Sequence, residues 1–365
     1  MLIFPTPERL VAERAALIAA LSIFFAPTAV LADSVPIVDT HVHFDMQPRH
    51  VNFSGDAEDA ITQMNAHSVA MSFVMPPPEA LGRMQTYDYE NLLFVLDKYP
   101  GRFAVLGGAG TLGLMIWSTD PAAVTQADRA RFSAVAQRIV ASKAAGFGEI
   151  GIEHFALPAM GPFHPFEATA PDHPLLLLLA DIAAAANMPI DVHFDVIPAA
   201  VDLPAPLRSP PNPAHLEPNL AGFERLLAHN AKAKIVWAHA GGEPARMRSV
   251  ELCRELLERY PNLYMSLRVE RGLPDPTWAL APNGDLKPEW RQLIVDFPDR
   301  FVLGSDSFYT DQPEYRRGGS VRGLDNFQAL LAQLPMPVAA KLARDNVKAI
   351  YRLAGPSSPE ARKTR

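Results

Sequence analysis

Cysteine is nearly missing from this sequence: the 365 residues hold one, Cys253, so no intrachain disulfide can form and an apolar core must hold the fold. Clustered basic charge is missing too. The chain has 33 Lys and Arg against 40 Asp and Glu, a net charge of −7, which argues against nucleic acid as a partner. No Gly-rich phosphate loop follows any apolar run, and no Pro/Gly/Ser linker marks a second domain. Only one apolar stretch approaches the length of a membrane span, at the N-terminus.

That stretch, Ala15–Ala32, follows Arg9 and Arg14, is broken by Ser22, Pro27 and Thr28, and ends Val-Leu-Ala. This is the layout of a secretory signal peptide cut after Ala32. No Cys follows it to take a lipid, so the expectation is an exported, periplasmic or secreted protein without a stable membrane anchor. The mature chain, 33–365, has 333 residues (365 minus 32), and its 48% hydrophobic content supports a sizeable core. The expected partner is a small-molecule substrate, with a homo-oligomer left open.

From residue 35 onward, short apolar runs alternate with helix-period stretches. Candidate strands are Ile37–His41, Val69–Val74, Phe103–Gly107, Glu149–Ile152, Ile190–His193, Ile235–His239, Leu263–Leu267 and Phe301–Gly304. Eight strands alternating with helices predict an α/β fold, a (β/α)8 TIM barrel with long loops after strands 4, 5 and 8. One helix is expected from the Asp120-Pro121 cap, carrying Phe132, Val135, Ala136, Ile139 and Val140 and stopping at Gly146; another runs from about Pro244 to Tyr260. Tyr99-Pro100-Gly101-Arg102-Phe103, Tyr260-Pro261-Asn262-Leu263-Tyr264 and Phe297-Pro298-Asp299-Arg300-Phe301 repeat one helix-to-strand junction. Residues 154–218, with thirteen prolines, and 307–322, with Arg316, Arg317 and Arg322, are the long segments expected over the barrel mouth.

Strand ends carry the chemistry. Asp39-Thr40-His41-Val42-His43, Gly148-Glu149-Ile150-Gly151, Asp191-Val192-His193, Trp237-Ala238-His239 and Gly304-Ser305-Asp306 all fall at the ends of candidate strands. Side chains two apart on a strand share a face, and parallel barrel strands end at one rim, so His41, His43, His193, His239 and Asp306 should converge. Each piece alone is weak; together they predict a centre for one or two divalent ions, Zn2+ first, with Mn2+ or Fe2+ as alternatives.

These motifs resemble the amidohydrolase superfamily, in its amidohydrolase-related branch of metal-dependent hydrolases and decarboxylases. Asp39-Thr40-His41-Val42-His43, Trp237-Ala238-His239-Ala240-Gly241-Gly242 and Leu303-Gly304-Ser305-Asp306 carry the likeness, and Asp345-Asn346 with Tyr351 resembles the ending common in that branch. The resemblance implies that His41, His43, His193 and Asp306 ligate metal and that His239 binds metal or polarises substrate and water. Binuclear members often place a carboxylated Lys on strand four, where this chain has none; Glu149 instead resembles the bridging ligand of TatD-type members, against a structural role at the rim. Glu153-His154 reads as loop wall. Asp306 would accept and return the proton, and Asp39 would orient an imidazole. Arg268 would bind a substrate carboxylate, or else pair with Glu270. The activity implied is hydrolysis of an amide, ester or lactone. The alternative is non-oxidative decarboxylation of an unsaturated or aromatic acid, and TatD-like nuclease action and a non-catalytic metal-binding role stand behind both.

Overall fold

A computed structural model describes residues 35–44, 51–78, 86–157, 166–208, 211–242, 245–269, 277–312 and 322–353, the side chains of 206 and 322 excepted. The expected signal peptide, Glu270, Arg316 and Arg317 lie outside the described residues. Among the described residues no helix is long and apolar enough to cross a membrane.

Eight strands close into a barrel: β1 Ile37–Phe44, β2 Val69–Val74, β3 Phe103–Gly108, β4 Gly146–His154, β5 Pro189–Phe194, β6 Lys234–Ala240, β7 Leu263–Leu267 and β8 Phe301–Leu303. Every neighbour pairs in parallel and in chain order, and Asp39 facing Leu303 closes β8 onto β1. Parallel pairing forces each connection back across the outside, where helices such as Phe53–Ala66, Gln126–Ala141, Pro174–Ala186 and Val250–Arg259 lie. The expected (β/α)8 barrel is therefore the fold.

Two apolar layers follow from this closure. Val42, Val105, Ile150, Val192 and Leu267 pack outward against helix residues such as Phe132, Leu179 and Leu256. Phe73, Leu106, Val236 and Val302 fill the barrel floor with Ile350 and Tyr351 of the C-terminal segment. Asn346 holds that plug, donating from Nδ2 to the carbonyls of Pro298 and Phe301, both at 2.8 Å. The repeated junctions are tied in the same manner: Arg102 donates to Ala70 O, Asn262 to Ala233 O and Arg300 to Leu263 O.

Local boundaries differ from expectation where capping competes. Asp120 caps only the short turn Pro121–Ala123. The helix proper starts at Gln126, because Thr125 and Asp128 form a reciprocal capping box, and it ends at Ala141, five residues before Gly146 opens β4. The helix expected from Pro244 begins at Val250, capped by Ser249, which accepts from Leu252 N. The short strand Glu167–Ala168 pairs with Glu153 and His154, so these two residues belong to β4 and not to a loop. Beyond the long loops after strands 4, 5 and 8, about twenty residues separate β7 from the helix at Pro288.

Candidate metal centre

The residues singled out at the strand ends meet at the C-terminal rim, and Glu149 lies at their centre. Its Oε2 is 3.3 Å from His41 Nε2 and 3.4 Å from His43 Nε2. Its Oε1 is 2.8 Å from His193 Nδ1 and 2.9 Å from His239 Nε2. The two oxygens of one carboxylate thus face two different imidazole pairs. Asp306 joins the first pair, with Oδ1 3.3 Å from His43 Nε2. Two triads of ligand atoms, His41–Glu149–His239 and His41–His43–Asp306, each lie within 4.8 Å of one another.

Local backbone aims these groups. His41 and His43 alternate on one face of β1. His239 (φ 62°) and Asp306 (φ 57°) take left-handed conformations as the chain leaves β6 and β8, a region His and Asp tolerate better than branched residues. The turn carrying Asp306 is laced to β1: Asp306 N donates to His41 O at 2.9 Å, and Ser305 donates to Asp39 through N (2.9 Å) and Oγ (2.6 Å). Asp39 therefore does not orient an imidazole as expected; its carboxylate is taken by the Ser305 turn. Burial pushes it up to about 6 even against those Ser305 bonds.

Other carboxylates lie beside the imidazoles. Asp191 Oδ1 is 3.2 Å from His41 Nδ1, and Asp195 Oδ2 is 3.5 Å from His193 Nε2. Sequence reading gave neither a role, although Asp191-Val192-His193-Phe194-Asp195 sets both carboxylates two residues from His193, one on β5 and one just past its end. His43 donates from Nδ1 to Met75 O at 2.9 Å, which leaves the Nε2 lone pair facing the centre. The His154 ring lies 4.7 Å from that of His193, at the mouth. Arg268 reaches the site, but its Nη1 is 2.9 Å from Asp306 Oδ2.

Electrostatics fit a cation. His41 Nε2 and His43 Nε2 are buried and have no hydrogen-bond partner, as expected of nitrogens that offer lone pairs to an ion. Burial disfavours charge on His41, yet Asp191 and Glu149 outweigh it and hold the imidazole well above its usual range. His193 is pushed up to about 10, with Asp195 and Glu149 overcoming its burial. Burial dominates at His239 and pushes it down to about 4. Glu149 is held well below the carboxylate range by His41, His193 and His239 despite its burial; Arg268, His239 and His43 do the same for Asp306. Carboxylates at this density hold positive charge beside them as protons, and a divalent ion supplies that charge on the same nitrogen and oxygen donors. Cys253 is buried in the outer core, so no thiolate belongs to the set.

The sequence profile of the amidohydrolase family, in its second branch, matches residues 38–353. No curated protein matches the chain. Among solved structures, the chain is similar to YjjV, a TatD homologue from Escherichia coli K12, with 14% identity, a TM-score of 0.49 and coverage of 88% of this chain and 99% of that one. It is similar also to an amidohydrolase 2 from Bifidobacterium longum subsp. infantis, with 12% identity, a TM-score of 0.42 and coverage of 86% and 97%. With the profile spanning the whole barrel and the rim carrying this donor set, the chain belongs to the amidohydrolase family, a family of metal-dependent hydrolases and decarboxylases.

Proposed function

We propose that this protein is a hydrolase that uses metal-activated water to cleave an amide, ester or lactone bond in a small molecule. The observation that carries the reading is the two-sided placement of Glu149, with one oxygen toward His41 and His43 and the other toward His193 and His239. His41, His43, Asp306 and Glu149 Oε2 would hold one ion, and Glu149 Oε1, His193 and His239 a second; Zn2+ suits such nitrogen and oxygen donors, with Mn2+ or Fe2+ next. A divalent cation bound there supplies Lewis acidity, lowering the pKa of a coordinated water from about 15.7 toward about 7.

The remaining work falls to this chain's own side chains. Asp306 is ionised and carries Arg268 on Oδ2, which leaves Oδ1, on the side of the imidazoles, to accept a proton and return it to the leaving group. His239 is neutral at physiological pH, so it can ligate or polarise a carbonyl oxygen without adding charge. Asp191, beside His41 Nδ1, and Asp195, beside His193 Nε2, would steady the two imidazoles from behind. Arg268, which lies beside Asp306, would meet an anionic group of the substrate.

Metal analysis of the purified mature protein should give two ions per chain, and His193→Ala should lose one of them together with activity. A panel of lactones, esters, amides, phosphodiesters and aromatic acids, followed for acid and for CO2, tests the reaction. Acid release is expected, and CO2 without hydrolysis would overturn the hydrolase reading in favour of decarboxylation. Export is part of the proposal: protein recovered from the periplasm should begin at Asp33, and recovery only in the cytoplasm with residues 1–32 intact would refute it.

A further inference from the structure

Arg248 is only 1% exposed, and its charge helps to hold the buried Asp195 carboxylate below its usual range; buried charge is costly unless it is paired and hydrogen-bonded. Its guanidinium lies 3.9 Å over the ring of Trp237. Nη1 donates to the carbonyl of Ala238 at 2.6 Å and Nη2 to that of Phe194 at 3.0 Å. Trp237 Nε1 donates to the same Phe194 carbonyl at 2.8 Å.

These carbonyls flank the two histidines at the second half of the centre: Phe194 follows His193 and Ala238 precedes His239. The parallel register between β5 and β6 runs from Pro189–Lys234 to Val192–Trp237 and stops there. One residue later on each strand come His193 and Ala238, and His239 then turns into a left-handed conformation. The guanidinium fork spans the two strands just where their ladder ends.

Packing alone does not call for an arginine in this place. A buried ion pair or charge network can often be replaced by apolar side chains of similar volume with little loss of stability, or even a gain. A planar fork that reaches two carbonyls at once is something no apolar side chain provides.

We propose that Arg248 is a positioning residue of the metal centre, replacing the missing rung between β5 and β6 and thereby fixing His193 and His239 against Glu149. The proposal rests on the reading above that these two histidines are ligands. Arg248 touches neither imidazole; it acts through the backbone that carries them.

The test uses the full mature chain with Arg248→Met and Arg248→Lys. Zn2+ affinity is read by competition with a chromogenic chelator, and the four ring environments by histidine 1H–15N correlation spectra of the metal-stripped protein. In Arg248→Met the weaker-held equivalent of Zn2+ should lose about 10- to 100-fold in affinity, the range found when groups behind metal ligands are removed. The ring signals of His193 and His239 should move while those of His41 and His43 stay. Arg248→Lys, which keeps the charge and one donor, should recover part of both effects.

Wild-type affinity with four unmoved rings in Arg248→Met overturns the proposal. So does equal weakening of both ions with all four rings displaced, which marks general loosening of the core. If the wild type takes up no Zn2+, the metal reading fails, and the ring spectra decide the positioning role by themselves. Should Arg248→Met not fold, Arg248→Lys is judged by the same two measurements: wild-type affinity and unmoved rings refute the role.

Discussion

Gly304 links β8 to the turn that carries Asp306, and a single methyl group placed there tests how tightly the first half of the centre is built. A Cβ on this residue would lie 2.1 Å from Ser266 Oγ and 2.8 Å from His41 Cβ. Contacts closer than 3.4 Å are already tight, so Gly304→Ala demands that Ser266 yield by about 1.3 Å (3.4 minus 2.1) and His41 by about 0.6 Å (3.4 minus 2.8). Ser266 Oγ has no hydrogen bond to hold it but is buried, so it can turn only within packed surroundings, while the ladder holds β1, and with it His41 Cβ, on both sides. Overpacking of this kind costs roughly 1–3 kcal/mol of stability. A ligand displaced by a large part of an ångström also loses metal affinity and about 100-fold in rate. The assay is a double-mutant cycle on Tm and Zn2+ affinity with Ser266→Ala, which removes the closer clash and leaves the His41 contact. Gly304→Ala should lower both quantities. The double variant should recover stability with a coupling of about 0.5–3 kcal/mol while affinity stays reduced. A Gly304→Ala protein with unchanged Tm and unchanged Zn2+ affinity would refute the described packing of His41 against the β8 turn.

Glu153 is buried at the end of β4, and burial pushes its carboxyl up to about 7, with Asp195 adding to the rise and Asn219, which donates to Oε2, opposing it. A raised acid binds a proton more readily in the folded state than in the unfolded one. Its contribution is therefore complete below about 4.5 and is lost as pH climbs toward about 7, by up to about 3 kcal/mol. Glu153→Gln keeps an acceptor for Asn219 and should raise Tm at pH 8 but not at pH 4; an equal change at both pH values refutes the shift. Asn346→Ala strips the donor from two carbonyls beneath the barrel and should cost about 2–3 kcal/mol in chemical denaturation, whereas a change under 0.5 kcal/mol would show that the plug does not depend on it. Removing metal with a chelator should lower Tm, since an ion at 100 times its Kd stabilises by about 2.7 kcal/mol, and a Tm indifferent to chelation counts against a metal centre.

The barrel was legible because its signals are local. Eight short apolar runs, each returning through a helix, point to a parallel sheet, and their number together with the missing Gly-rich phosphate loop favours a closed barrel over an open sheet; the observed strands begin and end within a few residues of the runs read from sequence. Helix ends were less legible, because caps compete over short distances: Asp120-Pro121 and Thr125–Asp128 are both plausible starts, and only the second launches the long helix.

The residue types at the strand ends, and their spacing, were fixed by the order of amino acids alone; strand alternation and the common direction of parallel strands do the rest. Which groups stand behind the ligands was decided by the tertiary structure. Asp39 precedes His41 by two residues yet is bonded to Ser305, 266 positions away. Asp191, on another strand, reaches His41 instead. The two faces of Glu149, the engagement of Arg268 with Asp306 and the fork of Arg248 are likewise products of closure. Such contacts form between atoms from different strands, and one chain segment cannot report the distance to another until the barrel has brought them together.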